Sequence, residues 1–423
     1  MAHKRAMSDT PSYDVVIAGG GMAGLTLALA LARSGFSIAV VESEPYETQL
    51  VPAFDGRASA IAYAAYRQWR VLGAAEAMAD YAQPIRKIQV TDGRSPGAAA
   101  KPALPVFLEF DASDIADRAG DEPLGWMLEN RHIRLGLTEA LKATDVTVIA
   151  PRRAVDIEAS ATGAEVLLDD GQRLRCQLAV GCEGRRSPLR EAAGIGVTGW
   201  SYKQTGMVAT VALEHDHQGV AFEHFLPTGP FAILPLPGQR ASLVWSERTH
   251  EAEALKTCSE EAFESILARR FGDYLGRPKL AGPRFAYPLS LQMAEAMYAP
   301  RFVLVGDSAH GIHPIAGQGL NLGLKDVAAL AEVLVEARRL GEDFGSELVL
   351  ERYARWRRFD TMAMAAVCDL FVRTFSNDNP LVRLARDASI VAASKVPAMR
   401  RILAHDAGGA FGDTPKLLRG MAL

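Results

Sequence analysis

The chain has 423 residues, 49% of them hydrophobic and 23% charged, an ordinary globular balance that suits one large or two interleaved domains. A formal net charge of −4 argues against a nucleic-acid binder, which carries a basic domain. Cys176, Cys182, Cys258 and Cys368 show no C-x-x-C spacing and no accompanying His cluster, so they read as thiols in a reducing compartment, with no metal, disulfide framework or dithiol reductase expected.

The first dozen residues are polar, and no apolar signal-peptide core follows Lys4 and Arg5. Residues 15–32 are nearly all apolar and long enough to suggest a membrane span, but three consecutive glycines interrupt them. A buried strand, a tight loop and a buried helix account for them better. Residues 15–18 are a short β-branched run, as a buried parallel strand should be. Gly19-Gly20-Gly21-Met22-Ala23-Gly24 follows, giving G-x-G-x-x-G, then an Ala- and Leu-rich helix and a second strand at 37–41 ending in Glu42. Gly19 permits the turn, Gly21 lets backbone approach a pyrophosphate, and Gly24 allows close helix packing. The free N–H groups of Met22 and Ala23 at the helix start suit phosphate. Glu42 is placed to bind a ribose hydroxyl, which favours FAD or NAD over NADP.

Further along, residues 221–226 alternate, 227–230 turn, and 231–236 return, which reads as a hairpin with Phe222 and His224 on one face. A strand at 301–305 runs into Gly306-Asp307, and after a loop Pro314-Ile315-Ala316-Gly317-Gln318-Gly319-Leu320-Asn321 opens a long amphipathic helix. Asp307 at a strand tip can grip a ribityl hydroxyl or serve as a cap. The glycine-rich helix start can aim its dipole at a flavin ring. His310 and His313 read as structural, since no third ligand joins them. Trp356, Met362, Met364, Val367, Leu370, Phe371 and Phe375 lie in a helical stretch that Asn379-Pro380 breaks. Between 380 and 404, five basic residues face one acid, Asp387, and apolar residues recur at helical spacing. Such a helix can lie on an anionic bilayer, or pack on the protein's own core or a partner. No segment there can span a membrane. The expectation is a cytoplasmic protein, peripheral on the inner membrane if the tail binds lipid.

Three separated landmarks resemble the flavin-dependent aromatic hydroxylases of the para-hydroxybenzoate-hydroxylase fold: the N-terminal glycine fingerprint, Gly181-Cys182-Glu183-Gly184-Arg185-Arg186-Ser187-Pro188, and Gly306-Asp307. The middle one is similar to that family's A-D-G segment, with Glu183 for Asp, so Glu183 and Gly184 are implied to serve FAD and NAD(P)H. Within the fold, the ubiquinone-biosynthesis hydroxylase branch is resembled by Asp55-Gly56-Arg57-Ala58-Ser59, by Glu129-Asn130-Arg131-His132-Ile133-Arg134, by Phe231-Ala232-Ile233-Leu234-Pro235-Leu236, and by Gly317-Gln318-Gly319-Leu320-Asn321-Leu322-Gly323. These span nearly the whole chain. The resemblance implies that Arg57 and Arg131 contact FAD; without it, each arginine reads as a surface ion pair.

The implied fold is α/β: a Rossmann-like FAD-binding domain of discontinuous segments (12–75, 126–195 and 296–375), an inserted mixed β-sheet substrate domain (76–125 and 196–295), and a C-terminal helical tail (376–423). The implied activity is hydroxylation of a polyprenylated phenol by an NAD(P)H- and O2-dependent FAD monooxygenase, through a C4a-hydroperoxyflavin in a dry pocket. Pro314 and Gly317 belong to the loop expected over the reactive ring edge. His224 could polarise or deprotonate the phenol, or be an ordinary core or surface imidazole. Only one nucleotide fingerprint is present, because no strand precedes Gly408-Gly409-Ala410-Phe411-Gly412; NAD(P)H is therefore expected to bind transiently. Two other readings stay open: a same-fold flavoenzyme acting on a soluble phenol or a prenyl chain, and a non-catalytic flavin-holding scaffold of a ubiquinone-biosynthesis complex.

Overall fold

A computed structural model describes residues 10–51, 55–92, 106–114, 122–226, 228–272, 275–313, 317–375 and 413–423. The chain opens with β1 (Ser12–Ala18), α1 (Met22–Ala32), β2 (Ile38–Val41) and β3 (Ala58–Ala62). It crosses to a second sheet with β4 (Lys87–Asp92) and β5 (Val106–Asp111), and returns through β6 (Gly125–Glu129), α2 (Asn130–Leu141), β7 (Thr147–Ile149) and β8 (Arg173–Gly181). The second sheet is then completed by β9 (Val197–Ala212), β10 (Val220–Leu226), β11 (Gly229–Leu236), β12 (Arg240–Arg248) and β13 (Phe285–Ala294), with α3 (Thr249–Thr257) and α4 (Glu260–Phe271) between the last two. β14 (Phe302–Leu304), α5 (Gln318–Arg339) and α6 (Glu347–Phe375) follow.

The first sheet runs β14-β8-β1-β2-β7, and these five strands are parallel. Val15, Val16 and Ile17 are wholly buried, as parallel strands covered on both faces must be. On one face α1, apolar nearly all round, packs against the apolar face of α5: Leu25, Leu27 and Leu29 meet Leu324, Val327, Leu330 and Leu334 in one core.

The second sheet runs β13-β9-β12-β11-β10-β4-β5, antiparallel except for the β10–β4 pair. Its two faces differ. One carries Phe231, Ile233, Trp245 and Met207 against Phe263, Leu267 and Phe271 of α4. The other faces the cavity described below. The expected hairpin is β10–β11, with Phe222 opposite Ile233. A small third sheet, β3-β6 with Gln83–Ile85, packs against β11 and α5.

The far C-terminus, the end of the expected helical tail, packs against residues 63–71 and α5. Lys416–Arg419 forms a single turn that buries Leu417 and Leu418, and Lys416 Nζ pairs with Glu336 at 2.7 Å and Glu332 at 3.3 Å. The basic segment 380–404, the 408–412 glycine cluster and the Pro314–Ala316 loop fall outside the described residues. Among the described residues, no helix is long and apolar enough to cross a membrane.

Candidate active site

The C-terminal ends of the neighbouring parallel strands β1, β8 and β14 bring Gly19, Cys182-Glu183-Gly184 and Gly306-Asp307 together, although nearly 290 residues separate the first from the last (307 − 19 = 288). Open α/β sheets bind ligands at this edge. Gly19 has φ +99°, and a Cβ there would lie 2.4 Å from the Cys182 carbonyl oxygen. A Cβ on Gly24 would lie 1.9 Å from the Gly19 oxygen, so Gly24 is where α1 closes on the strand loop. A Cβ on Gly21 would meet nothing within 4 Å, so that side of its backbone faces open space.

That space belongs to a cavity of about 1570 Å³. An ordinary ligand pocket holds roughly 300–1,000 Å³, so there is room for a dinucleotide and a second molecule. Gly19, Gly21, Met22, Ala23, Glu42, Arg57, Glu183, Gly184, Asp307, Gly317, Gly319, Leu320 and Asn321 all line it. Glu42 accepts hydrogen bonds from the N–H of Gly20 at 2.7 Å and of Glu44 at 3.0 Å, one on each carboxylate oxygen. Asp307 is half-exposed, with Arg185 Nε 3.8 Å away. Gly317 caps α5 at φ +65°, a left-handed conformation that favours glycine.

Two of the expected residues are placed differently, and Gly24 takes the packing position expected of it. His224 does not line the cavity. It lies on the α4-facing side of the sheet, where its Nδ1 is 2.5 Å from Thr91 Oγ1, its ring stacks near Phe231, and burial pushes its pKa down to about 4. The strand's alternation decides this, because Ala221, Glu223 and Phe225 take the cavity side, with Phe222 also touching the cavity from the neighbouring position. Arg131 also turns away and pairs with Glu129 at 3.2 Å. Its helix instead presents Asn130 and Arg134, one turn apart, to the cavity and to Asp55. Gly24, packed inside the loop, is not among the lining residues.

Two of the lining residues have side chains already engaged. Asn321 accepts from the Ala62 N–H at 3.0 Å and donates to the Ala60 carbonyl at 2.9 Å, clamping α5 to β3. Glu183 accepts from Ser187 Oγ at 2.5 Å and from the Leu189 N–H at 3.3 Å, and burial pushes its carboxyl up to about 7.

Sequence reasoning did not single out Asp55, Arg185 or the Asp326 cluster. Asp55 holds Arg57 by a two-point contact at 2.8 and 2.9 Å, and also takes bonds from Asn130 and Arg134, each at 3.0 Å. Burial would raise its pKa; the bonds and charge of Arg57 outweigh that and hold it far below the usual carboxylate range. Arg185 donates to Ser290 Oγ at 2.6 Å and to the Ile312 carbonyl at 2.8 Å, tying the middle landmark to the second sheet. Beneath the Gly306 turn, buried Asp326 meets His310 Nε2 at 2.5 Å and Arg357 Nε at 2.8 Å and accepts the Gly306 N–H at 3.1 Å. His310 is therefore an ion-pair partner, and no group of His, Cys, Asp and Glu able to hold a metal occurs among the described residues.

Away from the glycines the cavity runs over an apolar floor made by Ile88, Val90, Leu108, Ala232, Leu234 and Val244. Glu223 stands within that floor, a carboxyl that attention to His224 passed over. At the rim, Val367 and Leu370 of α6 line the cavity while remaining about half or more exposed (48% and 63%), which gives the opening an apolar lip.

Comparison with known proteins agrees with this arrangement. A family model described as FAD binding domain matches residues 12–367. The chain is 44% identical to "Ubiquinone hydroxylase UbiL" of Rhodospirillum rubrum, covering 97% of this chain and 93% of that one. It is 35% identical to "3-demethoxyubiquinol 3-hydroxylase" of Escherichia coli, covering 93% and 98%. Among solved structures, p-nitrophenol 4-monooxygenase PnpA of Pseudomonas putida shares the fold, with a TM-score of 0.77 at 20% identity over 96% of this chain and 100% of that one. The chain thus belongs to the FAD-binding monooxygenase family, in the branch that contains the ubiquinone hydroxylases.

Proposed function

We propose that the chain hydroxylates the aromatic ring of a polyprenylated phenol in ubiquinone biosynthesis, with FAD as cofactor, NAD(P)H as a transient reductant and O2 as co-substrate. One observation carries the reading: a single cavity joins a dinucleotide-type glycine edge to an apolar floor and an apolar lip. A soluble phenol would need no such greasy approach.

The residues fit a bound FAD. Gly21 and Gly319 offer backbone to open space, with no protein atom where a Cβ would point. Glu42 Oε2 takes one backbone bond and keeps acceptor capacity for a ribose hydroxyl, while Oε1 already accepts from Ser43 Oγ and the Glu44 N–H. Asp307 and Arg57 are the accessible polar groups for the ribityl and phosphate region. The start of α5 puts its positive dipole end, and the N–H groups of Gly319 and Leu320, toward the cavity. Bound there, the flavin supplies hydride acceptance and the activation of dioxygen. The chain's own contribution is to orient the phenol over the apolar floor and to exclude water. Val367 and Leu370 leave the prenyl tail a route outward, toward a membrane or a partner in a biosynthetic complex.

The test is turnover of the holoenzyme with NADPH, a geranylated phenol and 18O-labelled dioxygen, read by mass spectrometry. One labelled oxygen on the ring is expected. Reduction of a prenyl double bond without oxygen uptake would refute the reading.

A further inference from the structure

On the cavity side of the second sheet, hydrogen-bonded neighbours place Leu108, Val90, Glu223, Ala232, Val244 and Val208 in one row across six strands. Along β10, Ala221 and Phe225 flank the same position, and every one of these residues lines the cavity. Glu223 is thus a lone carboxyl at the centre of an apolar face. Among the described residues, no hydrogen bond or ion pair to it is present. Leaving an ionisable group in such a place is costly unless something pairs with it. A ligand entering the cavity is the available partner.

Its surroundings keep it from being a structural charge. From α6 the ionisable neighbour lining the cavity is the Cys368 thiol, and from β13, at the nucleotide end, it is the Tyr287 phenol beneath the Arg57 guanidinium. β4, β5, β9 and β11 contribute no ionisable group to the cavity wall, and β12 contributes Val244 and the Ser246 hydroxyl. Burial pushes the Glu223 carboxyl up to about 8.

We infer that Glu223 binds the phenolic hydroxyl of the substrate and accepts its proton. This rests on the function proposed above and adds the group that readies the ring. The phenol O–H bond breaks, the proton passes to a Glu223 carboxylate oxygen, and the electron pair stays on the phenol oxygen. From there it reinforces the ring carbon that takes up oxygen from the reduced flavin and O2 that the activity already uses. The ring is then a ketone. Loss of the ring C–H proton, taken up by the second oxygen atom as it leaves as water, restores aromaticity, and the ketone oxygen recovers a proton from Glu223, which ends as it began. A carboxyl lifted toward the range of a phenol, whose reference value is about 10, is a better-matched base than an ordinary glutamate.

The experiment compares wild-type and Glu223→Gln holoenzymes on a geranylated phenol and on its ring-fluorinated analogue, whose hydroxyl is ionised at neutral pH. The variant is expected to keep its flavin and to hydroxylate the first substrate about 10²- to 10⁴-fold more slowly. It is expected to lose the wild-type rise of kcat with pH toward 8, and to recover within severalfold on the fluorinated analogue. A variant within twofold of wild type with an unchanged pH profile overturns the inference, as does one slowed equally on both substrates. If the variant does not fold, ultraviolet difference spectra of a phenol bound to wild type decide: phenolate should appear with an apparent pKa near or below 8, and a bound phenol that stays neutral at higher pH overturns the inference. Labelled oxygen in the wild-type product keeps the functional reading intact whichever way these results fall.

Discussion

Replacing Asp326 by alanine should cost the fold about 3 kcal/mol, the low end of what removing one partner from a buried ion pair costs. Asp326, His310 and Arg357 are all essentially inaccessible to solvent, and the carboxylate is the shared counter-charge, 2.5 Å from one and 2.8 Å from the other. Without it His310 can shed its proton, which relieves part of the strain. Arg357 cannot, but it keeps Asp360 at 2.8 Å. A loss of 3 kcal/mol lowers the folded-to-unfolded ratio on the order of 10²-fold. Urea unfolding at neutral pH, followed by tryptophan fluorescence and by flavin release in parallel, measures it. Asp326→Asn, nearly the same shape, is expected to lose most of the same stability because charge is what the two cations need. A loss below about 1 kcal/mol for the alanine variant would refute the reasoning.

The pH dependence has a definite sign. For Asp326 burial acts upward, but the charges of His310 and Arg357 win and bring it from 3.8 to about 2. Its contribution is present above pH 3.8 and is lost as pH falls through about 2. For His310 burial acts downward, and the charge and hydrogen bond of Asp326 win, so its pKa is raised above 6.5. That share is complete below pH 6.5 and fades as pH rises through the folded value. The alanine variant should lack both limbs.

Three further outcomes are expected. Gly19→Ala should purify without flavin, measured as the ratio of flavin to protein absorbance, because its Cβ would meet the Cys182 oxygen at 2.4 Å; a normally yellow protein would contradict the strand-loop geometry. Asp307→Ala should keep its circular dichroism but lose flavin on purification, and a fully yellow variant would remove Asp307 from the ribityl region. Arg131→Ala should leave the FAD dissociation constant within twofold in a fluorescence titration, whereas Arg134→Ala, which breaks the contact with Asp55, should raise it about tenfold.

The nucleotide edge was legible because its signals are local. The buried strand, three glycines, helix and Glu42 lie within thirty residues, and each constrains backbone geometry directly. The Gly306-Asp307 turn could be read for the same reason. Phase was harder. Residues 129–134 presented two arginines, and only the helical register, starting at Asn130, turns Arg134 inward and Arg131 outward. In β10, alternation put Glu223 and His224 on opposite faces, but which face met the cavity depended on α4 covering the other, a contact over 30 residues away in sequence. The engagement of Asn321 with β3 was beyond reach for a similar reason, since its partners lie 259 and 261 residues earlier.

That Asn321 clamp bears on how the molecule is assembled. β14 takes its place beside β8, and α5 settles on α1, only after more than three hundred residues have been synthesised. A ribosome-bound chain therefore carries its first fingerprint long before it can retain a flavin, with the α1 surface awaiting its mate. Cofactor loading becomes a late event in biogenesis, and such distant pairings fold slowly.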